Sequence, residues 1–333
     1  MDQRNQELDF IRAAAILLVI FQHAWSMLGL DEPSTAFTYH GYRALIYGVP
    51  LFVMLSGYLQ IRHPMPAGPY LKKRFSRILP PFLLWAVVVY AISVFMHRYE
   101  EVSGLRDALV QFVPFLLTNK INAAYWYVFM LAGLYLVTPV LHAAFEVAEN
   151  RKKLLEYCLL IWIAISALGD VYPACSLVTY FPIVGYLGYY LLGYYLCLYA
   201  DGRKLNLRIG AIGFPLAYGL NVGMMYLGYT LVTLEILEIS CLFLLLKSVR
   251  IKSEPVMRRV RDISRYSYGI YLTHFVLIAF CYSAFPKTFD ADWATPVEVA
   301  ILVLGVEYVF FWLLDRIRFI PGNLVGISGQ KKR

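Results

Sequence analysis

Charge is scarce in this chain, and the scarcity decides its class. Asp, Glu, Lys and Arg make up only 16% of the 333 residues, while 60% are hydrophobic. A soluble domain carries about a quarter charged residues. Apolar runs of about twenty residues, with so little charge inside them, exclude an ordinary soluble globule. The runs are continuous and do not alternate apolar with polar, which excludes a transmembrane β-barrel and leaves helices. Cysteine is sparse too. Cys158, Cys175, Cys197, Cys241 and Cys281 show no close paired spacing. They read as small apolar residues, so neither a disulfide framework nor a metal site is expected. No internal repeat, low-complexity tract or cleavable leader is visible. The N-terminus is mixed in charge and Arg12 interrupts the start of the first apolar run, so that segment is expected to stay as an anchor. The net charge of +8 would suggest nucleic acid only if it formed one soluble patch. It is dispersed between apolar runs, so no nucleic-acid partner is expected.

What the chain has is ten apolar segments, roughly 8–29, 40–60, 79–97, 123–143, 153–169, 178–199, 207–227, 231–249, 266–286 and 294–317. The expected fold is therefore all-α: a polytopic integral membrane protein of about ten transmembrane helices, one domain over 1–333 with no separate soluble part. The stretch 104–118 is amphipathic and suits a membrane surface. All but five of the 30 lysines and arginines fall on one side of this arrangement; the exceptions are Arg43, Arg98, Arg106, Lys120 and Lys287. Such a bias places both termini in the cytoplasm. The 27 tyrosines and 21 phenylalanines exceed what core packing requires, and some are expected to line a cavity.

The first segment, LDFIRAAAILLVIFQHAWSMLGL, carries Arg12 and, eleven residues later, His23. On a helix that separation is about three turns, ~16 Å, so both fall on nearly one face. An ionisable group inside a span is costly and marks a functional-site hypothesis. A neutral imidazole in the outer half of the membrane can act as general base toward a hydroxyl; bonding to a neighbouring helix is the structural alternative. A second constellation, Lys72, Lys73, Arg74 and Arg77 followed by Pro80 and Pro81, places two guanidiniums on one face of a short helix before the third span. They suit phosphate oxygens or anionic lipid headgroups. In GVPLFVMLSGYL, Pro50 is expected to kink the second span. Ser56-Gly57 offers close packing or a backbone opening, and Ser56 is a weak nucleophile candidate.

Further polar groups fall inside spans. Glu235 and Glu238, three residues apart, share a face at the level expected for His23; they can orient it, hold acceptor hydroxyls or bond between helices. His274 is expected deeper than His23, near mid-membrane. Glu307 is ambiguous. Tyr125, Trp126 and Tyr127 mark an outer aromatic belt or a platform for a sugar ring.

The Arg12/His23 pair, the GVPLFVMLSGYL stretch, the Arg74-Phe-Ser-Arg77 unit and SRYSYGIYLTHF (264–275) occur in the order seen in the membrane-bound acyltransferase type 3 family, which the whole chain resembles. The resemblance implies transfer of an acyl group, usually acetyl, from cytoplasmic acyl-CoA to a hydroxyl of a cell-envelope glycan or its lipid-linked precursor. It carries the family's functional arginine and histidine onto Arg12 and His23, and its arginine pair onto Arg74 and Arg77. The expected setting is a bacterial cytoplasmic membrane, with membrane lipid as a partner. Lys73, Ser56 and His274 join the expected donor site, and Glu235 and Glu238 the catalytic one. A transporter or flippase for an envelope glycan or lipid precursor is the competing reading, since intramembrane carboxylates and histidines also suit proton coupling. The two related halves common in transporters are not seen. Acceptor, acyl group and oligomeric state are not readable.

Overall fold

The computed structural model of the protein describes residues 3–27, 46–174, 185–285 and 294–329. Among them every regular element is helical: α1 (Gln3–Met27), α2 (Gly48–Ile61), α3 (Ala67–Phe95), α4 (Leu105–Leu117), α5 (Trp126–Val147), α6 (Arg151–Val171), α7 (Tyr186–Tyr199), α8 (Arg203–Tyr226), α9 (Val232–Ser248), α10 (Glu254–Ala284), α11 (Thr295–Leu314) and the single turn α12 (Gly322–Val325). A 3-10 turn, Ala123–Tyr125, leads into α5. Arg43, Cys175 and Lys287 lie outside the described residues.

Seven of these helices are long and apolar enough to cross a membrane: α1, α3, α5, α6, α8, α10 and α11. The sequence suggested ten. The other three expected spans correspond to helices that are short: α2 and α7 have 14 residues each and α9 has 17. The expected segments 40–60 and 178–199 begin among residues outside the described ones. The amphipathic stretch becomes α4, which buries Phe115 and Leu116 and turns Leu105, Leu109, Val110, Val113 and Leu117 outward.

The helix α1 is the centre of the bundle, packed against α2, α9, α10 and α11. Ile11, Ala15, Ile16, Val19 and Ile20 are fully buried on it, a four-residue rhythm that turns one stripe of the helix into the core. It runs parallel to α10, and three rungs join the two. At the first, Arg12 Nη1 donates to Ser264 Oγ at 3.2 Å. At the second, His23 meets His274 at 3.1 Å. At the third, the Tyr282 hydroxyl donates to the Ala24 carbonyl at 2.7 Å.

Glycine sets the closest contacts. A Cβ on Gly57 would stand 1.8 Å from the Tyr190 carbonyl oxygen, and one on Gly193 would stand 2.0 Å from that of Met54. So α2 and α7 touch backbone to backbone, which small residues permit. Of the two roles open to Ser56-Gly57, close packing is the one observed. Two proline expectations are corrected. Pro50 is the third residue of α2, where the helix uses no N–H, so it starts the helix and does not kink it. Pro80 and Pro81 lie inside a continuous α3. Arg74 and Arg77 therefore sit on the span's own helix, not on a separate short one. The two rings remove the N–H groups that would serve the carbonyls of Ser76 and Arg77. The start of α6 is capped by a side chain: the Asn150 oxygen accepts from Lys153 N at 3.0 Å. Asp170, at the end of α6, accepts from Val232 N and Thr233 N at the start of α9, at 2.7 and 3.0 Å.

Candidate active site

The parallel run of α1 and α10 brings His23 and His274 together. His274 is fully buried; its Nδ1 stands 2.8 Å from the Tyr271 carbonyl oxygen and 3.1 Å from that of Ile270. A carbonyl oxygen only accepts, so in the neutral ring this Nδ1 carries the proton and Nε2 carries a lone pair. His23 Nδ1 lies 3.1 Å from that Nε2 and 3.0 Å from the Val19 carbonyl oxygen. Both are acceptors, so Nδ1 of His23 is the donor, and the lone pair of His23 falls on Nε2. The bonding thus assigns one tautomer to each ring and leaves a basic nitrogen on the half-buried His23. Around the pair, the Phe275 ring stands edge-on to His23 at 5.4 Å between centroids. Tyr271 lies 5.6 Å from His274 and 4.9 Å from Tyr127, and its hydroxyl donates to the Ala124 carbonyl.

About three turns along α1, the arginines form a second region. Ser264 Oγ, which accepts from Arg12, donates to Asp9 Oδ1 at 2.6 Å, and Arg12 and Asp9 are 3.9 Å apart. The Tyr135 side chain, on α5, lies within Coulombic range of Arg12, Arg74 and Arg77 together. Arg74 sits over the Tyr70 ring at 5.3 Å, and its buried Nε has no bonding partner. Among the described residues, neither Arg74 nor Arg77 is paired with a carboxylate. Arg74, held over an aromatic ring, and Arg77, both left without counter-charge among the described residues, are suited to an anionic ligand. Arg77 and Lys73 are exposed. Ser56, half-buried on α2, interacts with the Tyr127 side chain.

The remaining expected residues fall elsewhere. Glu238 is fully buried and accepts from the Tyr47 hydroxyl; with Glu235 it lies in Coulombic range of Tyr189. Orienting His23 was one of the roles open to these carboxylates; the side chain described against the His23 ring nitrogen is that of His274. His274 itself was expected deeper than His23, yet the two are bonded at one level. Glu307 accepts from Thr273 Oγ1 at 2.9 Å, one residue from His274. Tyr125 and Tyr127 are buried, not displayed at an open mouth, and Tyr125 donates to the Leu272 carbonyl at 3.4 Å. Trp126 is half-buried against Tyr186, 5.3 Å away. Sequence reasoning missed Asp9, Ser264 and Tyr135. A signal existed for Ser264. It stands ten residues before His274, almost the separation of Arg12 from His23, so the two helices carry matched polar positions.

The chain was compared with known proteins. A family model described as an acyltransferase domain matches residues 5–315, nearly the whole length. No curated protein and no solved structure matches it.

Proposed function

The chain belongs to the acyltransferase 3 family, and from that premise we propose that it moves an acyl group, acetyl first among the candidates, from cytoplasmic acyl-CoA to a hydroxyl of a cell-envelope glycan or lipid-linked sugar. It works in a bacterial cytoplasmic membrane, with ten segments crossing and both termini inside. The observation that carries the reading is the contact geometry of His23: its Nδ1 lies 3.0 Å from the Val19 carbonyl oxygen and 3.1 Å from His274 Nε2, bonding that assigns the lone pair of this half-buried imidazole to Nε2.

Arg74 and Arg77 hold the phosphates of the donor, and Arg12, fixed by Asp9 and Ser264, adds positive charge to the same region near Tyr135. The pantetheine arm rises along α1 and brings the thioester to His23. The acceptor hydroxyl donates its proton to His23 Nε2 as its oxygen attacks the thioester carbonyl carbon. The C–S bond then breaks, the acyl group stays on the acceptor as an ester, and the thiolate takes the proton back from His23 to leave as CoA-SH. His274 is a positioning residue: its Nε2 accepts from the Nδ1–H of His23 and steadies the imidazolium that forms.

The test is acyl transfer by the protein purified into lipid nanodiscs, with radiolabelled acetyl-CoA and an envelope glycan fraction as acceptor. His23→Ala is expected to lose about 10²–10⁴-fold in kcat while still binding CoA. Near-normal turnover by folded His23→Ala protein would refute the assignment.

A further inference from the structure

Beyond α11 the chain turns back and lays a strap, residues 320–329, against α3 and α10. Four hydrogen bonds fix it. Trp85 Nε1 donates to the Val325 carbonyl at 3.2 Å. Ser328 donates to the Arg265 carbonyl from its N–H at 3.0 Å and its hydroxyl at 3.1 Å. Arg265 Nε returns a bond to the Ser328 carbonyl at 3.0 Å. Arg265 is itself gripped by both oxygens of Asp315 at 2.6 Å. Gly326 takes the left-handed conformation, φ 88°, and a Cβ there would come 2.8 Å from the backbone of Gly269. Backbone therefore meets backbone where the strap crosses α10, and only glycine fits both the angle and the gap.

The strap encloses a cavity of about 580 Å³ lined by Arg77, Ile78, Tyr268, Asn323, Ile327 and Ser328, with Gly326 and Gly329 contributing bare backbone. That size falls within the range of small-molecule sites. Its chemistry is mixed. Ile78 and Ile327 are almost wholly buried and offer apolar walls. Asn323 presents an exposed amide that has both donors and an acceptor. Arg77 supplies a cation with no carboxylate partner among the described residues. Tyr268 is pinned by its bond to the Ile78 carbonyl at 2.9 Å, so the wall is rigid. Apolar faces, one hydrogen-bonding amide and one guanidinium are together what a nucleoside diphosphate needs: faces for the base, an edge contact and a phosphate grip. The strap also follows the last residue of the family match, which ends at 315.

We infer that this cavity is the nucleotide subsite of the donor, with the adenine end of CoA between Ile78 and Ile327, its edge read by Asn323, and the diphosphate directed to Arg77. The inference rests on the acyl-CoA reading above and assigns the strap to it as a binding element.

The experiment compares two donors on the full-length protein: the acetyl thioester of CoA, and that of pantetheine, which lacks the nucleotide. In the unaltered protein the CoA thioester is expected to have at least a tenfold lower KM. Asn323→Trp, which fills the cavity from its rim, should raise the KM of the CoA thioester about tenfold and bring it level with that of the pantetheine thioester. An undiminished KM advantage for CoA in this variant overturns the inference, even though acyl transfer stands. Absence of transfer from either donor by the unaltered protein sinks the parent reading instead. Asn323→Cys covers the case in which the tryptophan variant does not fold. Maleimide labelling at that peptide, read by mass spectrometry, should be slowed several-fold by the acetyl thioester of CoA and not by that of pantetheine; equal labelling with and without the CoA thioester overturns the site.

Discussion

Replacing His274 by phenylalanine tests how the base is held. Phe keeps a planar ring in the buried site but deletes the acceptor that faces His23 Nδ1, 3.1 Å away. The Val19 carbonyl, 3.0 Å from the same nitrogen, remains, so the tautomer survives and Nε2 stays basic. What is lost is one hydrogen bond to a ring that becomes charged in the transition state. A hydrogen bond to a charged group contributes about 1.5–3 kcal/mol. At about 1.4 kcal/mol per tenfold in rate, His274→Phe should lower kcat roughly 10- to 150-fold. That is less than the loss expected for His23→Ala, which removes the base outright. The KM for the donor should not move, because the arginines lie about three turns away along α1. Release of CoA thiol, followed with a thiol reagent across donor concentrations, separates kcat from KM. His274→Gln, whose amide oxygen can accept from His23 Nδ1–H, should recover part of the loss. A purely structural role predicts no such recovery. Folded His274→Phe protein with kcat within twofold of the unaltered enzyme would refute the dyad.

Arg74→Ala and Arg77→Ala should each weaken CoA binding about 10- to 100-fold, the scale of one charge-assisted contact, with little change in acceptor KM; unchanged CoA affinity by calorimetry would remove them from the donor site. Gly57→Ala forces a methyl group to 1.8 Å from the Tyr190 carbonyl oxygen. It should destabilise the fold by about 3 kcal/mol, the upper end for overpacking, read as a lowered thermal midpoint in detergent. Asp170→Ala removes the acceptor for Val232 N and Thr233 N. It should cost about 1 kcal/mol of stability and leave kcat unaltered, since Asp170 is not among the described bonding partners of His23 or His274; a loss of turnover without a loss of stability would contradict that separation.

The helices were legible because long uncharged runs admit few other structures, and the paired positions of Arg12 and His23 were legible because one helix carries both. The partner of His23 was not. Glu235 and Glu238 offered a charge suited to an imidazole, while His274 was expected deeper than His23 and assigned to the donor site. Only the parallel packing of α1 and α10, across 251 residues of sequence, brings the second ring to the first. Helix ends were misread where proline was taken as a break. Within a membrane bundle the freed carbonyls can be served by neighbouring side chains, and α3 runs on through Pro80-Pro81. Seven of the ten expected spans are long apolar helices among the described residues; the other three correspond to shorter helices. At α2 and α7 the sequence has the composition of a span, but the described helices are 14 residues long, held by the contacts of Gly57 and Gly193.

The first two of the three rungs that pair α1 with α10 have a consequence for how such an enzyme can diversify. Arg12 and Ser264 form one rung, His23 and His274 the next, and the intervals along the two helices are eleven and ten residues. The two helices therefore measure nearly the same distance, ~16 and ~15 Å, and each rung checks the other. One residue more or less in α1 would swing the imidazole about 100° around the helix axis and break the second rung while leaving the first intact. The span from the arginine level to the base is thus set by helix geometry and does not depend on the loops. Variation in acyl group or acceptor has to come from elements that are not part of this double ruler: from α3, whose arginines face the ruler's lower end, and from the aromatic wall at its upper end, where Tyr127, Tyr271 and Phe275 border the histidines. Changes there alter the shape of what reaches His23 without moving His23 itself.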